Sequence, residues 1–144
     1  MRVVLALACL CAIAATVPAS AAAATYKGKT KQGRKAVVTT DADGLVTRVK
    51  LGWKATCDEG TYTSRTIFMP PFDTSTSTEF GSVGSYTARP SGYVSAIRVS
   101  VHGTWVEEKD RWRGTFGVRV RVRKDGKLVD TCHLKKLKWS AARE

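Results

Sequence analysis

The sequence has little of what catalysis requires. Its 144 residues include only two histidines, His102 and His133. An active site needs a nucleophile with a base, paired carboxylates, or metal ligands. His102 falls on the polar side of an alternating stretch, between Val101 and Gly103, and His133 directly follows Cys132. Both read as surface or rim residues. Ser and Thr are plentiful, but none sits in a G-x-S-x-G setting. There is no phosphate-binding glycine loop, and no helix N-terminus that would hold an anion. Glu107 and Glu108 stand with Lys109 and Asp110 in a polar turn. These absences argue against an enzyme and give no reason to expect a metal or a cofactor.

Cysteine is also scarce, and half of it lies in an unusual N-terminal segment. Arg2 supplies a positive start, Val3 to Val17 an apolar run, and Pro18 to Ala24 a small-residue stretch. That order predicts a cleaved secretory signal over residues 1–24, with cleavage near Ala24. The apolar run is short for a membrane anchor and no stop-transfer charges follow it. Cys9 and Cys11 lie inside the apolar run, too close to Arg2 for a lipoprotein cysteine. Residues 25–144 are then one domain, with no transmembrane segment. It keeps two cysteines, Cys57 and Cys132, and 23 basic residues against 12 acidic ones, a net charge of +11. In an exported chain such a pair most simply forms one disulfide. Its loop of about 75 residues corresponds to roughly 4.5 kcal/mol of chain entropy as an upper figure. A redox pair has no C-x-x-C to support it, and zinc would need more ligands than these cysteines and histidines offer.

No long segment has a helical period. Apolar residues alternate with polar ones instead, and the breaks carry turn residues. Gln32-Gly33, Asp43-Gly44, Pro90-Ser91-Gly92 and Asp125-Gly126 read as turns between strands. In the third strand Leu45, Val49, Leu51, Trp53, Ala55 and Cys57 share one face, and Arg48, Lys50 and Lys54 the other. Tyr93, Ile97, Val99, Val101 and Trp105 line another strand. In "RGTFGVRVRVRK", Phe116, Val118, Val120 and Val122 point inward and Arg119, Arg121 and Arg123 outward. Trp53, Trp105, Phe116 and Trp139 are the expected core aromatics, with Trp112 stapling its hairpin. Met69-Pro70-Pro71 ends a strand. Residues 73–85, rich in Ser, Thr and Gly, read as a flexible connection or ragged edge strand, "LVDTC" and "LKKLKW" as separate strands, and 140–144 as a frayed tail. The expectation is an all-β antiparallel meander of about nine strands. It would close as an up-and-down or flattened barrel, with a two-sheet sandwich as the alternative.

Four stretches carry a resemblance: "YKGKTKQGR", "WKATCDEGTYTSRT", "RGTFGVRVRV" and "VDTCHLKKLKWSA". They are similar to a group of small exported bacterial proteins of the high-GC Gram-positive type. The likeness covers most of residues 25–144, in order, and is least over Met69 to Ser85. The Trp-x3-Cys and Val-Asp-Thr-Cys-x4-Leu-x-Trp spacings are its most specific parts. It implies export, a single all-β domain and the disulfide. The group has no established activity, so no functional residues follow from it.

Three functions fit these features. The first is a non-enzymatic structural or envelope-associated domain whose basic residues only keep a sheet face wet: arginine stems cover apolar surface while their heads stay in water. The second is a module that binds an anionic wall polymer, an acidic polysaccharide or extracellular nucleic acid through a basic face. Its candidate residues are Arg48, Lys50, Lys54, Arg119, Arg121 and Arg123. Further basic groups lie at Lys27, Lys29, Lys31, Arg34 and Lys35, and at Lys135, Lys136 and Lys138. Base-specific reading is not expected, because nothing here enters a major groove and exposed aromatics are few. The third is a small apolar ligand held among the tryptophans of a barrel interior.

Overall fold

A computed structural model describes residues 22–144. Most of the predicted signal, with Arg2, Cys9 and Cys11, lies outside the described residues. Ala24 is already structured: it opens the first strand, pairs with Thr40 and is buried.

Nine antiparallel strands form one sheet: β1 (Ala24–Thr30), β2 (Lys35–Thr40), β3 (Val46–Cys57), β4 (Gly60–Phe68), β5 (Thr74–Ser75), β6 (Glu79–Ala88), β7 (Tyr93–Val106), β8 (Arg111–Lys124) and β9 (Lys127–Arg143). Their order is β4-β3-β2-β1-β9-β8-β7-β6-β5, with β3 also meeting β9. The meander is therefore joined through its two terminal strands. The hydrogen-bonded ring contains only β1, β2, β3 and β9, so the sheet folds onto itself as a flattened, incompletely closed structure. Met69, Pro70 and Pro71 explain the opening. Proline cannot donate to a ladder, so β4 stops at Phe68 and the chain resumes as β5 on the other half of the sheet.

The two halves are held together by aromatic packing. Phe116 of β8 meets Trp53 of β3 at 6.1 Å and Phe68 of β4 at 6.2 Å between ring centroids. Phe80 packs on Trp112 at 5.4 Å and on Trp139 at 6.0 Å. Phe80 needs Gly103 on its neighbouring strand, because any Cβ there would run into its ring. The Trp53 indole N–H donates to Thr66 Oγ1 on the paired strand β4, and across the open seam Thr66 shares a hydrogen bond with the Tyr86 hydroxyl of β6 at 2.9 Å. Cys57 and Cys132 are directly opposed on β3 and β9 and form the disulfide, with a sequence separation of 75.

The alternation in β8 is as the sequence indicates: Phe116, Val118 and Val120 are buried and Arg119, Arg121 and Arg123 exposed. Other expectations change or become more definite. Leu45 lies outside and Val46 is buried instead, because a bulge inserts Thr47 opposite the Thr39/Thr40 step and reverses the phase of the strand start. Trp112 packs on Trp105 across its hairpin and is in addition a core residue, 1 % exposed. Of the two readings of 73–85, the edge strand holds: it forms β5 and most of β6, with Thr76, Ser77 and Thr78 in the turn between them. "LVDTC" and "LKKLKW" belong to one strand of 17 residues, interrupted by a bulge. The expected frayed tail is its last part: Ser140 to Arg143 pair with β1, Ser140 to Ala142 also pair with β8, and Ala141 is buried. Small side chains suffice there, since Gly28 lies against the Ser140 carbonyl with no room for a Cβ.

Candidate anion-binding face

Outward residues of adjacent strands meet in register rows, and one set of rows is strongly basic. Lys29, Ser140, Arg113 and Thr104 lie side by side on β1, β9, β8 and β7. The row on one side contains Lys138, Thr115 and His102, with the Lys31 N–H donating to the Lys138 carbonyl at 2.8 Å. The row on the other contains Lys27, Ala142 and Arg111. The intervening Ser, Thr and Ala side chains are short. The long cationic side chains therefore stand over a low floor, and the result is an open groove of about 690 Å³. Lys29, Lys31, Lys109, Arg111, Arg113 and Lys138 line it, and no carboxylate does.

None of these six cations has an ion-pair partner among the described residues, where the only salt bridges are Lys27–Glu144 and His102–Glu79. Arg111 is half-buried, and its Nε–H has no acceptor. His102 borders the groove and holds Glu79 through Nε2 at 2.7 Å, both side chains being about half exposed. Among the described residues Glu79 is the single side-chain hydrogen-bond partner of His102.

A second cluster occupies the same outer face further along β8. Arg98 of β7 stands opposite Arg119 of β8, which stands opposite His133 of β9, which stands opposite Thr56 of β3. Arg98 and Arg119 are shared by two shallow grooves; Arg121 lines one, and Lys135 and Lys136 the other. The bulge in β9 produces that second edge, because Leu137 pairs with Phe116 and Leu134 with Val118. Two consecutive lysines are thereby set opposite Gly117. Lys136 adopts φ 48°, in the left-handed region where a side chain is disfavoured.

The six residues singled out in the sequence do not form one site. Arg119 and Arg121 belong to the second cluster. Arg123 closes its own hairpin, donating from Nη1 to the Gly126 carbonyl at 3.1 Å. Arg48 and Lys50 face out from β3. Lys50 is in register with Val37, and Val37 with Lys27, so two strand spacings, roughly 10 Å, separate it from the first cluster. Lys54 sits where its backbone exchanges two hydrogen bonds with the Gln32 side chain. Arg98, Lys109, Arg111 and Arg113 are the basic residues the sequence reading misses. The signal for the three arginines is the same alternation that marks Arg119 and Arg121: Arg111 and Arg113 flank buried Trp112, and Arg98 lies between buried Ile97 and Val99. Lys109 lies in the 3-10 turn before β8 and has no such signal.

Of the expected core aromatics, Trp53, Phe116 and Trp139 are buried and Trp105 is half-buried against Tyr26 and Trp112. Trp53 packs on Phe116 and Trp139 on Phe80. Cys57, Asp130 and Cys132 cluster as metal ligands would. Their sulfurs are joined to each other, and Asp130 Oδ1 accepts the N–H groups of Asp58 and Thr131. Among the described residues no helix is long and apolar enough to cross a membrane. No family model, no curated protein and no solved structure matches this chain.

Proposed function

We propose that this protein is an exported, non-enzymatic β domain that binds an anionic polymer of the cell envelope or its surroundings through the outer face of β1, β9, β8 and β7. The observation that carries this reading is the groove lined by six cations with no carboxylate among them. Like charges set side by side on neighbouring strands oppose the fold that collects them. An anionic partner removes that opposition and releases its own counterions, which makes binding strong and salt-dependent. Export is supported by the N-terminal pattern, by the disulfide and by the resemblance to small exported bacterial proteins.

The direct test replaces Lys29, Lys31, Arg113 and Lys138 with Ser. All four side chains are exposed, so the variant should fold with an unchanged far-ultraviolet spectrum. Its retention on an anionic matrix at moderate salt should fall roughly tenfold or more, each lost phosphate contact removing counterion release. Unchanged retention would sink the groove as the binding site.

A further inference from the structure

The two cationic clusters are ends of one channel. The large groove and its neighbour share His102 and Thr115. That neighbour and the next share Val83 and Ser100, and the last two share Arg98 and Arg119. Contiguous grooves therefore follow the outer side of β8, whose outward residues run Arg111, Arg113, Thr115, Gly117, Arg119, Arg121. Along β8 itself, cations stand at both ends with the small residues Thr115 and Gly117 between them. Two acids, Asp73 and Glu79, border the middle. Asp73 accepts the Val83 N–H, and Glu79 holds His102. From Arg113 to Arg119 is six residues of strand, about 20 Å. From Arg111 to Arg121 is ten, about 33 Å.

We infer that the ligand is a linear, flexible, phosphate-bearing chain that lies along β8 and engages both clusters at once. This inference rests on the polyanion reading and makes it more specific. A compact anion could reach one cluster only. A chain spanning the gap gains the second contact intramolecularly, at the high effective concentration set by its own length. Five of the residues concerned, Arg98, Arg111, Arg113, Arg119 and Arg121, are arginines, whose planar fork suits phosphate oxygens in pairs. Trp139 in the large groove is buried, and His102 and Tyr86 are the other rings along the channel, too few for a row of stacked bases. The chain's charged backbone is what the face would grip.

The experiment titrates the oxidised protein at physiological salt with tripolyphosphate and with linear polyphosphates of graded length. Two variants accompany it, R111S/R113S/K138S and R98S/R119S/R121S. Affinity per molecule should rise at least tenfold, more than in proportion to length, once chains exceed the span between the clusters. Either variant should lose that rise and bind long chains only about as well as short ones. A sulfated polymer of matched length should bind more weakly. Affinity that grows only in proportion to length, or survives loss of one cluster, would overturn the two-cluster inference while leaving polyanion binding intact. Failure of every polymer, long chains included, would overturn both. Tighter binding of the sulfated polymer would overturn the assignment to phosphate.

Discussion

Arg98 on β7 lies directly opposite Arg119 on β8, and Arg119 lies opposite His133 on β9. Directly opposed like charges weaken a sheet, by about 0.2–1 kcal/mol per pair. No carboxylate relieves them by a salt bridge among the described residues. Arg119→Ser should therefore stabilise the free protein by a few tenths of a kcal/mol up to about 1, measured by urea unfolding. Stability unchanged or lowered would mean the two guanidinium groups splay apart into solvent and do not oppose the sheet.

Lys136 gives a sharper separation of stability from binding. Its φ of 48° suits glycine far better than lysine, a mismatch of about 1–2 kcal/mol. Lys136→Gly should raise the urea midpoint and at the same time weaken retention on a polyanion. A variant that gains stability and keeps full retention would reduce the β9 bulge to a structural irregularity.

Val120 tests the other side of the same strand. It is fully buried, between Arg119 and Arg121 in sequence and opposite Cys132 and Ile97 in the sheet. Val120→Asp places an unpaired charge in the core and should cost about 3–5 kcal/mol, enough to unfold most of the chain at 37 °C. Far-ultraviolet circular dichroism against temperature reads this directly. A cooperative transition near that of the unaltered protein would contradict the assigned core.

The disulfide joins the one place where β3 meets β9. Its reduction releases a loop closed over 75 residues and should cost about 2–5 kcal/mol. Amide exchange should locate the loss first at Thr56 and His133, the pair beside it. Exchange there unchanged on reduction would show that the β3–β9 contact stands without the bond.

Tyr86 adds an alkaline pH dependence to stability. Burial of its hydroxyl end against Thr66 raises its pKa, more than the Thr66 hydrogen bond lowers it, although much of its ring reaches solvent. An acid whose folded pKa is raised contributes nothing while both states are neutral. Stability is full below the unfolded value of 10.0 and is lost as pH rises through the folded value. Tyr86→Phe should cost about 1 kcal/mol at neutral pH and flatten the decline above pH 10, followed by denaturant midpoints across that range. An equally steep decline in the variant would assign it to other groups.

Much of the fold is legible from alternation alone. Val118 and Val120 inside with Arg119 and Arg121 outside is a period-2 pattern that any strand reading gives, and Asp125 and Gly126 both adopt the positive φ that their hairpin turn requires. The phase error at Leu45 arises because one inserted residue, Thr47, reverses the pattern, and nothing in its side chain announces that. Trp112 reads from the sequence only as a hairpin staple, but the alternation that buries Phe116 and Val118 also places it on the inner face of β8. The basic groove needs β1 beside β9, a pairing of Lys29 with Ser140 across nearly the whole chain. Alternation tells which way each lysine points. Only the closure of the terminal strands tells which arginine it stands beside.

The most direct measurement of polyanion binding is the affinity of the oxidised protein for cell-wall polymer, heparin-like polymer and DNA across a salt series. Binding that is selective among the three, survives physiological salt and falls steeply above it is the expected result, with a shallower salt slope once either cluster is neutralised. Weak binding to all three, lost together by physiological salt and indifferent to both clusters, would contradict it and leave the arginines as the wet side of a sheet.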